Sequence, residues 1–149
     1  MSSIFNPNDA NAYIARIEKL TPITQHIWGS MTVSQMLAHI QEPIKVALGQ
    51  TQPKRNIIGL IFGRLVKKSI VNEKPFKQGL PTDPSFVVAT ERNFEQEKRQ
   101  AIALIRALQA GGPSGITKNK HPLFGKMSPE EWDTLTNKHL DHHLRQFGV

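Results

Sequence analysis

The sequence predicts an all-α fold, a four-helix bundle with one long crossover connection. Three observations carry this. Apolar residues recur at helical spacing in four long stretches. No stretch alternates apolar and polar residues as a half-buried strand would. A segment punctuated by Pro and Gly, residues 50–86, separates the second long stretch from the third. At 149 residues, the chain (1–149) reads as a single domain with length enough for a proper core.

The first helix is expected from about Pro7 to Leu20. Asn6 or Asn8 can cap it, Ala10, Tyr13, Ile14, Ile17 and Leu20 form its stripe, and Thr21-Pro22 ends it. Trp28, in the connection that follows, reads as a core plug at the end of the bundle. The second helix opens on T-V-S-Q, where Thr32 and Gln35 form a capping box, and runs to about Leu48 with Gly49 as its stop. Val33, Met36, Leu37, Ile40, Ile44 and Ala47 make one wide apolar face, and His39 sits beside it. Pro43 removes the N–H that would bond the His39 carbonyl. The result is either a plain bend around neighbouring helices or one that aims His39 inward.

Within residues 50–86, Ile57 to Ile70 is apolar and basic and suggests one or two short helices. Such a segment can lie on a membrane, but a lid over the open end of the bundle is the preferred reading, and specificity would be set there. The third long helix is expected from Pro84 or Thr90 to Ala110, with Phe94, Ala101, Ile102, Ile105 and Leu108 inward. Glu95, Glu97, Lys98 and Arg99 mostly form its solvated face. Gly111-Gly112-Pro113 ends it. His121 precedes Pro122 and is therefore extended. It reads as a surface-loop residue, with the mouth of a site as the alternative.

The last helix, from Ser128 to Phe147, has a capping box of Ser128 and Glu131, Pro129 at its first position and Gly148 as its stop. At 100° per residue, Trp132, Leu135, Thr136, His139, His143, Gln146 and Phe147 share the core face, and Asn137 and Asp141 fall opposite. His139 and His143 are spaced i,i+4, so their Cβ atoms lie roughly 6 Å apart and both rings can reach one metal ion. The bland alternative is a pair of hydrogen-bonded core histidines. His142 reads as a supporting or surface residue. His39 is the best third ligand, being the histidine inside another long helix. Three ligands leave positions open for water or substrate. Glu42 reads as a base or a supporting partner, or simply as a surface carboxylate, and Gln146 as a residue that orients a ligand or a bound water. The metal would acidify a bound water or activate a substrate thiol.

The absence of cysteine excludes disulfides, thiolate metal sites and a cysteine nucleophile. The start, M-S-S-I-F-N-P, has no apolar signal region, and no apolar run approaches the ~20 residues of a membrane span. A cytoplasmic protein with no membrane partner is the expectation. The net charge of +7 permits contact with nucleic acid, but Lys and Arg are spread along the chain without a recognition motif. Specific nucleic-acid binding is therefore not expected.

Three motifs, W-G-S-M-T-V-S-Q-M-L-A-H-I (28–40), H-P-L-F-G-K-M-S-P-E-E-W (121–132) and K-H-L-D-H-H-L-R-Q-F-G (138–148), resemble the DinB/YfiT-like superfamily, in an uncharacterised branch of it. The resemblance implies a four-helix bundle holding a divalent ion, zinc or nickel, through three histidines. Carried over by position, these are His39, His139 and His143. It also implies a homodimer and an activity such as S-transfer of a low-molecular-weight thiol or isomerisation of a small molecule; hydrolysis of a small-molecule substrate by metal-bound water is the further expectation from the histidines themselves. A non-enzymatic bundle that binds a small ligand or a protein partner is the alternative.

Overall fold

The computed structural model describes residues 2–55, 57–72 and 74–149, with residue 58 described by its backbone alone. Asn56 and Glu73, within the irregular 50–86 segment, lie outside the described residues. The described chain is all-helical: α1 (Pro7–Glu18), α2 (Val33–Ala47), α3 (Ile57–Ile70), α4 (Phe94–Gly111) and α5 (Pro129–Gln146).

Local chemistry sets the ends of these helices. The Asn6 side chain accepts from the Asn8 and Asp9 amides at the start of α1. In α2, the Gln35 amide donates to Thr32 Oγ1 at 3.2 Å and the Thr32 amide to Gln35 Oε1 at 2.9 Å, a complete capping box. Ser128 and Glu131 repeat that box at α5. α2 continues through Pro43, which is buried. α4 starts later than the sequence suggests, at Phe94, because Asn93 is its cap and accepts from the Gln96 amide. Pro84–Phe86 is instead a single 3-10 turn capped by Asp83, with Phe86 buried.

α2 packs against α4 and α5, and α1 packs against the same two helices. Met36, Leu37, Ile40, Ile44, Ile105, Leu140 and Leu144 fill the space between them, each 1% exposed or less. A large aliphatic side chain so placed contributes roughly 1.5–3 kcal/mol by burial. Two polar residues that the helical pattern puts outside are drawn into this core. Glu97 of α4, expected on the solvated face, is buried and accepts from Gln41 Nε2 at 2.7 Å. Asn137 of α5 is buried because its Nδ2 bonds Asp133 and its carbonyl accepts the Tyr13 hydroxyl. Asp133 Oδ1 also accepts the Ile4 amide, tying the N-terminal segment to α5.

The 50–86 segment supplies one helix, α3, followed by an extended strap. α3 meets the His121–Gly125 turn through two glycines one helical turn apart. A Cβ at Gly59 would sit 2.8 Å from the Pro122 carbonyl oxygen, and one at Gly63 would strike the Leu123 carbonyl oxygen. Only glycine permits that approach. The outer face of α3 carries exposed Ile57, Leu60, Ile61, Phe62 and Leu65. Among the described residues, no helix is long and apolar enough to cross a membrane.

Candidate metal centre

His39 on α2 and His139 and His143 on α5 converge, with one ligand nitrogen from each lying within 4.8 Å of the others. The placement follows from the two amphipathic patterns. α5 turns its i,i+4 pair toward α2, and His39, which the pattern puts beside the apolar face, is 4% exposed.

The outer nitrogens determine which atoms are free to bind. His39 Nδ1 lies 2.8 Å from the Phe86 carbonyl oxygen, which can only accept, so Nδ1 carries the proton and Nε2 offers its lone pair to the site. Gln146 Nε2 donates to the Trp28 carbonyl at 2.8 Å, which turns Gln146 Oε1 toward His143. His143 Nδ1 therefore donates to that oxygen at 2.9 Å and leaves its Nε2 free. His139 Nε2 lies 3.0 Å from His39 Nε2. Two nitrogens bound to one tetrahedral zinc at about 2.0–2.1 Å would be roughly 3.4 Å apart, close to the spacing of this pair.

Electrostatics also favour the ligand form. Burial pushes the pKa of His143 down to about 3 and that of His39 below the usual imidazole value. His139 is held well below it, first by burial and then by the neighbouring imidazoles. Neutral imidazoles are what a metal ion requires. The donor set, ring orientation and backing bonds fit a divalent ion, and the three histidines could hold one.

The centre forms the floor of a cavity of about 790 Å³ between α2, α3, α5 and the strap at residues 79–89. Residues 50–86 thus contribute both a wall and much of the cover. Trp28 is not a core plug: it is partly exposed, rings this cavity and makes an edge contact with His142. His142 also meets Phe76 and lines the same cavity. His121 departs from the surface-loop reading. It is 2% exposed, stacks on Phe124, and accepts the Leu123 and Phe124 amides at Nδ1. Burial lowers its pKa to about 4.

Of the two residues read as catalytic, Gln146 lies in the site and orients His143. Glu42 does not line the cavity; its carboxylate bonds Lys45 Nζ at 2.7 Å. The Phe86 carbonyl, which fixes His39, left no sequence signal, because any residue supplies that acceptor. Asp83 is the one carboxylate-bearing residue lining the cavity among the described residues, and its Oδ1 accepts from Ser85.

Fold and site together define a helical protein with a three-histidine centre at the base of a cavity. The chain belongs to the family described as "Protein of unknown function (DUF1569)", whose pattern matches residues 5–148. No curated protein and no solved structure matches it.

Proposed function

We propose that this protein is a divalent-metal-dependent enzyme built on a DinB/YfiT-like four-helix bundle, with the long crossover as the roof of its substrate cavity. The observation that carries the reading is the convergence of His39, His139 and His143 at the cavity floor, with Phe86 and Gln146 holding two of the rings from behind. Three protein ligands open to a cavity are the pattern of a catalytic site rather than a structural one. An all-imidazole set suits zinc or nickel. When bound, such an ion supplies Lewis acidity that makes a water or a thiol a competent nucleophile near neutral pH.

The chain's own residues do the rest. The Phe86 carbonyl and Gln146 fix the tautomers of His39 and His143, and the apolar walls limit water around the reacting groups. The reactions that suit this arrangement are metal-assisted hydrolysis and transfer of a small thiol to an electrophile. The test is elemental analysis of protein purified without a polyhistidine tag, beside His39→Ala and His139→Ala. The reading expects about one metal per chain, lost in both variants, with the helical fold intact. Full occupancy in either variant, or no uptake by the wild type after incubation with zinc or nickel, overturns it.

A further inference from the structure

The cavity above the histidines is unusual in what it lacks. Among the described residues, no Lys or Arg lines it. Its walls are apolar and aromatic, with Trp28, Phe76, Phe86 and Phe124 around the floor and Met31 and Leu80 among the other lining residues. Its volume of about 790 Å³ is that of a pocket for a drug-sized molecule.

Two nearby cations are engaged elsewhere. Lys138 holds its ammonium over the Phe76 ring, 4.7 Å from the centroid, and bonds the Ile70 and Asn72 carbonyls. It lines an adjoining cleft, together with Arg16 and Arg145, which meets the cavity at Trp28, Phe76 and His142 without placing a cation among the cavity's own lining residues. Arg55 donates to the Gly59 carbonyl and lies against Gly125. A carboxylate on the body of a ligand would lose its water on entering and find no cation in exchange, and such a loss is not tolerated without a partner.

We propose that the cavity selects a ligand with an uncharged, apolar or aromatic body and a single polar group directed at the histidines. That excludes the low-molecular-weight thiols that carry several carboxylates. The role of the polar group rests on the metal-enzyme reading above; the class of the body rests on the walls alone. Among thiols, only uncharged ones fit. Among hydrolysable substrates, neutral esters and amides with aromatic or aliphatic substituents fit.

Two dyes that share an anilinonaphthalene skeleton test this. N-phenyl-1-naphthylamine is uncharged, and 8-anilino-1-naphthalenesulfonate carries one sulfonate. Fluorescence titrations use the metal-free chain, with zinc uptake followed separately by calorimetry. The uncharged dye is expected to bind at least about tenfold more tightly, the minimum set by the uncompensated desolvation of a sulfonate. Val66→Trp, which fills the cavity from α3, should abolish binding, and Met31→Arg, which supplies a cation, should close the gap between the dyes. Leu60→Ser with Leu65→Ser removes apolar surface from the outer face of α3 and should change nothing. Equal or tighter binding of the sulfonate in the wild type overturns the proposal, as does binding that survives Val66→Trp but is lost in the outer-face variant. Dye selectivity without zinc uptake would sink the metal reading and leave this one standing; zinc uptake without dye selectivity would do the reverse.

Discussion

His143 donates its Nδ1 proton to Gln146 Oε1 at 2.9 Å, and the other end of the same amide is anchored on the Trp28 carbonyl. One glutamine thus fixes both the tautomer and the direction of a candidate ligand. Partners of this kind typically contribute 10- to 100-fold in metal affinity. Gln146→Leu should weaken zinc binding by about that range in a competition titration. Gln146→Glu keeps an acceptor for His143 and should retain most of the affinity, although it loses the bond to Trp28. Equal losses in both variants would mean that the bond to Trp28, which both lack, carries the effect, and no loss in either would mean that Gln146 only fills space.

Gly29 sits where that amide passes. A Cβ there would lie 2.5 Å from Gln146 Nε2, and φ is +85°. Gly29→Ala should therefore cost zinc affinity as Gln146→Leu does, on top of about 1–2 kcal/mol of left-handed backbone strain. Gly79 provides the control: its φ is +73°, and a Cβ would meet nothing within 4 Å. Gly79→Ala carries similar strain and should leave zinc binding unchanged. A zinc-binding loss shared by both variants would point to general destabilisation.

His121 makes stability depend on pH through a bond that it can make only when neutral. Its Nδ1 accepts two amides, and its pKa falls to about 4 in the fold from an ordinary 6.5. The unfolded chain takes up the proton first. The stabilisation is thus present above pH 6.5, is lost as the pH falls from 6.5 through 4, and is constant below that. At 1.36 kcal/mol per unit the loss is roughly 3 kcal/mol. His121→Asn offers Oδ1 to the same two amides and does not titrate. Denaturant unfolding at pH 7 and pH 4 should show the variant gaining about that amount on the wild type over the interval. Parallel curves would show that His121 does not carry the effect. His39, His139 and His143 titrate in both proteins and cancel in the comparison.

The sequence makes legible what depends on local spacing. Both capping boxes, the all-helical class and the shared face of His139 and His143 follow from motifs a few residues long or from a 3.6-residue repeat, whereas His39 enters as the histidine of another long helix and through the family resemblance. What it hides depends on contacts distant along the chain. Phe86 reaches His39 through a backbone carbonyl, which every residue has. His121 looks like a loop residue, and its ring is packed among Phe86, Phe124 and Trp132, two of them distant along the chain or on another element. Glu97 reads as solvated because its partner, Gln41, is 56 positions away. Glu42 lies three residues from both His39 and Lys45, and its carboxylate pairs with Lys45.

The Gln41–Glu97 pair provides the last test. Gln41 is 0% exposed and Glu97 8%, and Gln41 Nε2 reaches the Glu97 carboxylate at 2.7 Å and the Leu37 carbonyl at 3.0 Å. Two residues along α2 turn the side chain through roughly 200°, so Gln41 faces α4 while His39 faces the cavity. Gln41→Leu would leave a buried carboxylate short of a donor and should cost about 2–3 kcal/mol, the loss of a hydrogen bond to a charged group. Adding Glu97→Leu removes the stranded charge and should recover much of that loss, since an apolar pair of similar volume often substitutes for a buried polar one. A double variant less stable than the sum of its singles would show that the pair is not coupled in this way. Zinc affinity of the double variant should match the wild type, because the seam it alters lies on the side of α2 away from His39. A drop in that affinity would mean that the α2–α4 seam sets the rotation of α2, and with it the direction of the His39 ring.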